Sequence, residues 1–91
     1  MAVTFYQRGI VDDMPSKLMV DEEVINFSGL VGKLCDEYGH RVKECFLTED
    51  GALKSGLMLI VNGKIFRSKD VLSIDIPDGS IVMVSVILAG G

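Results

Sequence analysis

The C-terminal end of the chain carries the residues whose types and placement could do chemistry. The sequence stops at Leu88-Ala89-Gly90-Gly91, a pair of glycines directly after an apolar stretch. Glycines at a chain end neither pack nor cap anything, so a fold gains little from them. A tail with no Cβ at its last two positions could lie extended in a narrow channel of a partner protein and present the α-carboxylate of Gly91 as the reacting group, with Gly90 and Ala89 threading the channel behind it. The alternative is a loose end with no function.

The remaining reactive side chains do not form a recognisable site in the sequence. The acidic pair Asp12-Asp13 and the acidic run Asp21-Glu22-Glu23 are interpreted as solvated loop charges, because acid/base catalysis needs groups that converge in a pocket. His40 is the only histidine and is interpreted as a surface residue at a helix end. Cys35 and Cys45 lack metal-ligand spacing and are expected to be free thiols. The sequence therefore predicts no metal site and no bound cofactor.

Length and composition limit the classes of protein to which the chain can belong. A chain of 91 residues has room for one domain, since it buries only about 60–65% of its unfolded surface. The apolar fraction is 48%, and with only two prolines this predicts an ordered core. The net charge of −4 argues against nucleic acid as a partner. Five basic residues could gather into one patch, either to dock a partner or as solvated charges: Arg41, Lys43, Lys64, Arg67 and Lys69.

The expected location follows from what the sequence lacks. Its apolar runs are far shorter than the ~20 residues that cross a bilayer, so we expect no membrane partner. No secretory signal is recognisable at the start, and free thiols suit a reducing compartment, so we expect a cytoplasmic protein.

Local patterns predict two hairpins. Val3–Gln7 alternates apolar and polar residues, as a half-buried strand does, and Lys17–Val20 follows a loop rich in turn residues as its partner. Leu57–Val61 and Lys64–Phe66 flank Asn62-Gly63, a pair that suits a type I′ turn because both residues accept positive φ angles.

A helix lies between these hairpins. Asn26 is a suitable N-cap, Gly39 a suitable C-terminal stop, and the apolar residues between them recur at helical spacing. The segment from His40 to Leu47 is ambiguous and could form a short helical turn. A final strand is expected from Ser80 to Leu88, after the turn at Pro77-Asp78-Gly79. The predicted order β-β-α-β-β-β indicates an α+β fold, with a mixed sheet covered on one face by one helix.

The last strand is apolar on both faces. Val82, Val84 and Val86 alternate with Ile81, Met83, Ser85 and Ile87. If one helix covers the sheet, the second set is exposed, and an exposed apolar patch commonly marks a contact surface. We therefore predict partner binding through Ile81, Met83 and Ile87. Burial of these residues under the segment from His40 to Ser55 is the alternative.

Three segments together resemble a known family. Leu59-Ile60-Val61-Asn62-Gly63-Lys64, Ile76-Pro77-Asp78-Gly79-Ser80 and Leu88-Ala89-Gly90-Gly91 are similar to the MoaD/ThiS family of sulfur carriers. The resemblance spans roughly Tyr38 to Gly91, and the terminal Ala-Gly-Gly is its most specific part. It implies a ubiquitin-like β-grasp domain over residues 1–88, followed by a flexible tail at 89–91.

The resemblance also implies a function. A ubiquitin-activating-type adenylyltransferase would use ATP to convert the Gly91 carboxylate into an acyl adenylate, and a sulfur donor would then convert this into a thiocarboxylate. The chain would be a protein cosubstrate rather than an enzyme, monomeric when free, and would pass its sulfur to an accepting synthase. ATP and magnesium would belong to the activating partner, because the chain has no Gly-rich phosphate loop.

Departures from the family pattern bear on the pathway. Val86-Ile87 stand where molybdopterin-type carriers usually have two prolines, and the stretch from Gly39 to Leu57 is longer than in thiazole-forming carriers. The chain looks more like the long carriers that serve cysteine or homocysteine synthesis, then like the molybdopterin or thiamine types. Two other classes stay open. One is a protein modifier conjugated to lysines through Gly91, and the other is a purely structural binding module.

Overall fold

A computed structural model of the chain describes residues 2–21, 23–24, 26–67 and 70–87. Within these residues the chain forms five strands, two α-helices and a 3-10 turn. The strands are β1 (Val3–Gln7), β2 (Lys17–Val20), β3 (Leu57–Val61), β4 (Lys64–Phe66) and β5 (Ile81–Val86). The helices are α1 (Phe27–Tyr38) and α2 (Arg41–Phe46), and the 3-10 turn is Val71–Ser73.

All five strands join one mixed sheet in the order β2-β1-β5-β3-β4. The first and last strands, β1 and β5, are parallel neighbours, and the other pairs are antiparallel. Because β1 and β5 run in the same direction, they finish at the same end of the sheet, and β2 begins there. We call this the tail end of the sheet. It is marked by Gln7, Lys17 and Val86.

The helix α1 forms where its sequence signals place it. The Oδ1 atom of Asn26 accepts a hydrogen bond of 2.9 Å from the amide of Gly29, which satisfies one of the free N–H groups of the first turn. Gly39 ends the helix with a φ of +100°, a conformation that glycine adopts without strain. The helix buries its apolar stripe against the sheet: Phe27, Leu30, Val31 and Leu34.

The ambiguous segment after Gly39 is helical. It forms α2, whose Val42 and Phe46 are fully buried, and the Phe46 ring lies 5.9 Å from the ring of Phe5 in an edge-on arrangement. Phe5 also belongs to the face of the sheet that α1 covers, so both helices lie on that face. The predicted α+β sheet covered on one face is confirmed, with α2 as a second, short covering element.

The hairpin between β3 and β4 is also as predicted. Asn62 has a φ of +50° and Gly63 a φ of +86°, the two positive values that a type I′ turn requires. No helix in the described part of the chain is long and apolar enough to cross a membrane.

Candidate functional site

The strand β5 leads into the C-terminal tail and is held in the sheet by backbone hydrogen bonds. Ala89, Gly90 and Gly91, the predicted tail and reacting carboxylate, lie outside the described residues. The chain is described up to Ile87, whose amide donates a 2.7 Å hydrogen bond to the carbonyl of Gly56. The strand β5 lies between β1 and β3. Its backbone pairs with β1 up to Val84 and with β3 up to Val86.

The start of β5 is fixed by side chains as well. The Oδ1 atom of Asn62 accepts a 2.9 Å hydrogen bond from the amide of Ile81, and its Nδ2 atom donates to Ser80 Oγ at 3.1 Å. The hydroxyl of Ser80 in turn donates to the carbonyl of Pro77. Asn62, which forms the turn between β3 and β4, therefore also holds the start of the neighbouring strand β5. We expect β5 to be a rigid base for whatever follows it.

The two faces of β5 have different surroundings. Val82 and Val84 are fully buried under the helices. Val86 follows on the same face by alternation, yet it is 48% exposed. On the opposite face Ile81 is 53% exposed and Met83 is half-buried. Ile87, the third residue of the predicted contact surface, is half-buried beyond the end of the strand.

The uncovered face continues across the whole sheet. Strand register places Tyr6 beside Met83, Met83 beside Ile60, and Ile60 beside Ile65, so these side chains share one face. Thr4 lies between Met19 on one neighbouring strand and Ile81 on the other, and Met58 pairs with Ser85. We call this set the outer face: Thr4, Tyr6, Met19, Met58, Ile60, Ile65, Ile81 and Met83.

The outer face is apolar and open. Met19 and Ile65 are 60% and 52% exposed, well above what a packed core residue shows. The alternative cover, the segment from His40 to Ser55, lies elsewhere, because its Phe46, Leu47 and Leu53 belong to the core beneath the helices. The predicted contact residues Ile81 and Met83 are thus one part of a larger apolar surface.

A groove opens where the outer face reaches the tail end of the sheet. We call it the tail-end groove. It is lined by residues of β1, β2 and β5 and by the loop after β1. Lys17 lies above the ring of Tyr6, with its Nζ atom 5.8 Å from the ring centroid. The main lining side chains are Tyr6, Arg8, Ser16, Lys17, Met83 and Ser85.

A buried glutamine holds the loop that borders this groove. The Oε1 atom of Gln7 accepts hydrogen bonds of 3.0 Å from the amides of Ile10 and Val11. Its Nε2 atom donates to the carbonyls of Val11, Met14 and Pro15 at 2.9 to 3.2 Å. One side chain thereby satisfies most of the backbone polar groups that the loop turns inward, which is why a glutamine is tolerated in the core.

These observations can be compared with known proteins. No protein-family model and no curated protein sequence matches the chain. Solved structures do match. A chain of the BexX/CysO complex from Amycolatopsis orientalis superposes with a TM-score of 0.75 over 99% of this chain and 100% of that one, at 17% identity. The chain has the ubiquitin-like β-grasp fold.

Other structures with the β-grasp fold support the assignment. SAMP1 of Haloferax volcanii, a small archaeal modifier protein, has a TM-score of 0.70 at 14% identity and covers 100% of both chains. Urm1 of Trypanosoma brucei has a TM-score of 0.66 at 21% identity, over 99% of this chain and 95% of that one. The fold implied by the resemblance to the sulfur carriers is thus confirmed.

Within this β-grasp domain, the basic residues considered as a patch are divided between α2, which carries Arg41 and Lys43, and β4 with the residues that follow it. Arg41 lies in α2 and forms a 2.6 Å ion pair with Asp13, whereas Lys64 lies in β4 with its Nζ atom 5.3 Å from the Phe66 ring centroid. Lys69 lies outside the described residues. Arg8 and Lys17 were not singled out in the sequence, because they are separated by a loop and meet only through the pairing of β1 with β2.

Asp12, Asp13 and Asp21 are exposed, as expected for solvated loop charges. Cys35 and Cys45 are free thiols, as predicted, and both are half-buried. Among the described residues, no group of three His, Cys, Asp or Glu side chains is placed to hold a metal ion.

Proposed function

We propose that this chain is a sulfur-carrier protein whose reacting group is the C-terminal carboxylate of Gly91. The observation that carries the proposal is the position of β5. This central strand is hydrogen-bonded up to Ile87, runs directly into the Ala-Gly-Gly end of the sequence, and has an open apolar face beside it. A rigid strand, a short tail with no Cβ at its last two positions and a docking face together suit a carboxylate that is delivered into another protein's active site.

The proposed chemistry has two steps, and both belong to a partner's active site. In the first, a carboxylate oxygen of Gly91 attacks the α-phosphorus of ATP, forming an acyl adenylate and releasing pyrophosphate. In the second, the sulfur of a sulfide donor attacks the acyl carbon and displaces AMP, which leaves a thiocarboxylate. Activation is needed because a free carboxylate is a poor electrophile. The chain acts as a cosubstrate, and its activating adenylyltransferase supplies the ATP and magnesium sites.

The outer face supplies the docking surface in this proposal. Side chains such as Ile60, Ile81 and Met83 present apolar area that a partner can bury, and methionine adapts to surfaces of different shape. A carrier must dock first on the activating enzyme and later on the sulfur-accepting synthase. One of the similar structures comes from a complex of two proteins, BexX and CysO, which supports a carrier that works bound to partners.

The sulfur acceptor is proposed from the sequence resemblance. The length of the segment between Gly39 and Leu57 and the absence of two prolines at Val86-Ile87 favour a carrier for cysteine or homocysteine–methionine synthesis over the molybdopterin and thiamine types. Free thiols at Cys35 and Cys45 suit a reducing location, and we place the reaction in the cytoplasm.

A second candidate function uses the same first step. As a protein modifier, the chain would pass its activated Gly91 carboxyl group to a lysine amine, forming an isopeptide bond and releasing AMP. The observation in its favour is the match to SAMP1, which carries the name of a small archaeal modifier protein. The two candidates differ only in the nucleophile that receives the acyl group.

The test is incubation of the full chain with the host's adenylating enzyme, ATP and sulfide, followed by intact-mass analysis. A carrier gains the mass difference between sulfur and oxygen at its C-terminus. A modifier instead yields heavier adducts when host proteins are added. The absence of both adenylate and thiocarboxylate would contradict the proposal.

Two variants sharpen this test. Removal of Gly90 and Gly91 should abolish the mass gain without changing the melting temperature, because the described fold is hydrogen-bonded up to Ile87, ahead of the removed residues. The Gly90→Ala/Gly91→Ala variant keeps the tail length and a terminal carboxylate but adds two Cβ atoms, so it should also react poorly if the channel is narrow. Full activity in the truncated chain would instead indicate a structural binding module.

A further inference from the structure

The tail-end groove carries two cations, Arg8 and Lys17, that the proposed docking on the outer face does not use. Arg8 and Lys17 are both exposed, and both line the groove. Within the part of the chain that the structure describes, neither of them forms an ion pair. Asp12 and Asp13 lie in the same loop as Arg8, but Asp13 pairs with Arg41. In a chain with a net charge of −4, Arg8 and Lys17 thus place two cations beside one groove.

The two cations are held in place by the fold. Arg8 directly follows Gln7, whose side chain fixes the loop after β1 through its hydrogen bonds to Ile10 and Val11. The amide of Gln7 also donates a 2.9 Å hydrogen bond to the carbonyl of Ser16, which sets the position of Lys17. Lys17 additionally lies over the ring of Tyr6. The backbone that carries both cations is therefore ordered, so a partner that binds them need not order the loop, which lowers the entropy lost on binding.

The location of the groove indicates which part of a partner protein would contact it. Gln7 pairs with Val84 across the parallel strands, so the loop that carries Arg8 lies at the end of the sheet where β5 finishes. Four residues follow Ile87, and four extended residues reach at most about 14 Å. We expect a partner that binds the terminal carboxylate to approach this end of the sheet, where Arg8 and Lys17 lie.

We propose that the tail-end groove receives an acidic segment of the activating enzyme, located at the mouth of the channel that takes the tail. This inference rests on the proposed function. Carboxylates of the partner would pair with Arg8 and Lys17, while the hydroxyls of Ser16 and Ser85 offer further hydrogen-bond donors. Such pairs at the rim of an interface act mainly on the rate of association and on the choice of partner. The groove thus orients the carrier so that its tail meets the channel.

The experiment compares two double charge reversals in the full chain. Arg8→Glu/Lys17→Glu changes the groove, and Lys33→Glu/Lys54→Glu makes the same change in net charge in α1 and in the loop before β3. Association with the host's adenylating enzyme is measured by stopped flow at low and at high salt. The Arg8→Lys/Lys17→Arg variant keeps both charges and tests whether charge alone is sufficient.

We expect the groove reversal to slow association about tenfold at low salt, with the control within about twofold of the unchanged chain. The difference should disappear near 1 M salt, where the Debye length is about 3 Å. Thermal melts of all variants check that the fold is kept. Equal rates for the two reversals, or a difference that salt does not reduce, would overturn the proposal.

A second measurement separates a protein partner from a small anion. Inorganic phosphate is titrated into the free chain, and the amide signals of Arg8 and Lys17 are followed by NMR. Shifts that saturate at millimolar phosphate would assign the groove to a free anion and would overturn the acidic-segment proposal. Unchanged signals support it. If the unchanged chain is not adenylated at all, the proposed function fails too, whereas normal adenylation of the groove reversal removes the groove inference alone.

Discussion

The two faces of the sheet are built from the same strands and have similarly apolar side chains, yet they have opposite surroundings. On β3, Leu59 is fully buried, while Ile60, its neighbour in sequence, lies half-buried on the outer face. On β5, Val82 is buried and Ile81 is 53% exposed. The difference comes from α1 and α2, which both lie on one face. Apolar composition alone therefore does not distinguish a core from a docking surface, since the position of the covering elements decides it.

The sharpest test of this contrast uses the neighbours on β3. Leu59→Ala removes side-chain volume from the core and should lower the free energy of unfolding by about 2–5 kcal/mol. Ile60→Ala removes a residue of similar size from the outer face, and we expect it to lower stability by about 1 kcal/mol or less. Urea denaturation of both variants measures the difference.

The effects of the two variants on partner binding should be in the reverse order, with Ile60→Ala the more damaging. Ile60→Ala should weaken association with the adenylating enzyme by about 1 kcal/mol or more, whereas folded Leu59→Ala should bind as the unchanged chain does. Similar losses of stability in both variants, with binding unaffected by Ile60→Ala, would mean that the outer face is no docking surface.

Gln7 allows a second test of the difference between the two faces, because it is a polar residue on the covered face. Gln7→Leu keeps the approximate size but removes every hydrogen bond that the side chain makes to the loop, including those to the amides of Ile10 and Val11. We expect a loss of about 2–4 kcal/mol in stability, since unsatisfied buried polar groups are costly. Hydrogen exchange at these two loop amides should become faster, while exchange at the amides of the sheet should change less. Unchanged exchange would show that the loop is held by its apolar contacts.

The smallest expected effect concerns the helix that covers the core. Asn26→Ala removes the hydrogen bond to the Gly29 amide and should cost about 1 kcal/mol of stability. Asn26→Asp retains an accepting oxygen and is the matched control. Because the cap contacts only the covered side, neither variant should change the binding of a partner to the outer face. A binding defect in Asn26→Ala would show that the two faces are coupled.

The elements that could be predicted from the sequence are those set by local interactions. β1 and β2 have the predicted bounds, and Asn62-Gly63 forms the predicted turn. The Asn26 cap and the Gly39 stop bound α1. In each case the deciding contacts lie within a few residues, so the sequence pattern contains them. The final strand was expected from Ser80 to Leu88. The structure gives Ile81–Val86, with Ile87 still hydrogen-bonded to Gly56, while Leu88 lies outside the described residues.

The elements that could not be predicted depend on distant partners. The segment that forms α2 is too short to show a clear helical stripe, and Phe46 is buried against residues far away in the sequence, among them Phe5. The role of Gln7 could not be seen either, because its partners lie in a loop without a regular pattern. A polar residue at an inward position of a strand was the available signal.

For the candidate site, the sequence by itself determined the chemistry that is proposed, since the carboxylate of Gly91 and the two terminal glycines are matters of residue type and order. It also indicated that both faces of the last strand are apolar. Only the tertiary structure decided which apolar residues stay open, because strand order and register join Met19, Ile60 and Ile65 to Ile81 and Met83 on one face. The groove has the same origin, since strand pairing brings Arg8 and Lys17 to the end of the sheet where the tail begins, and no local pattern encodes that meeting.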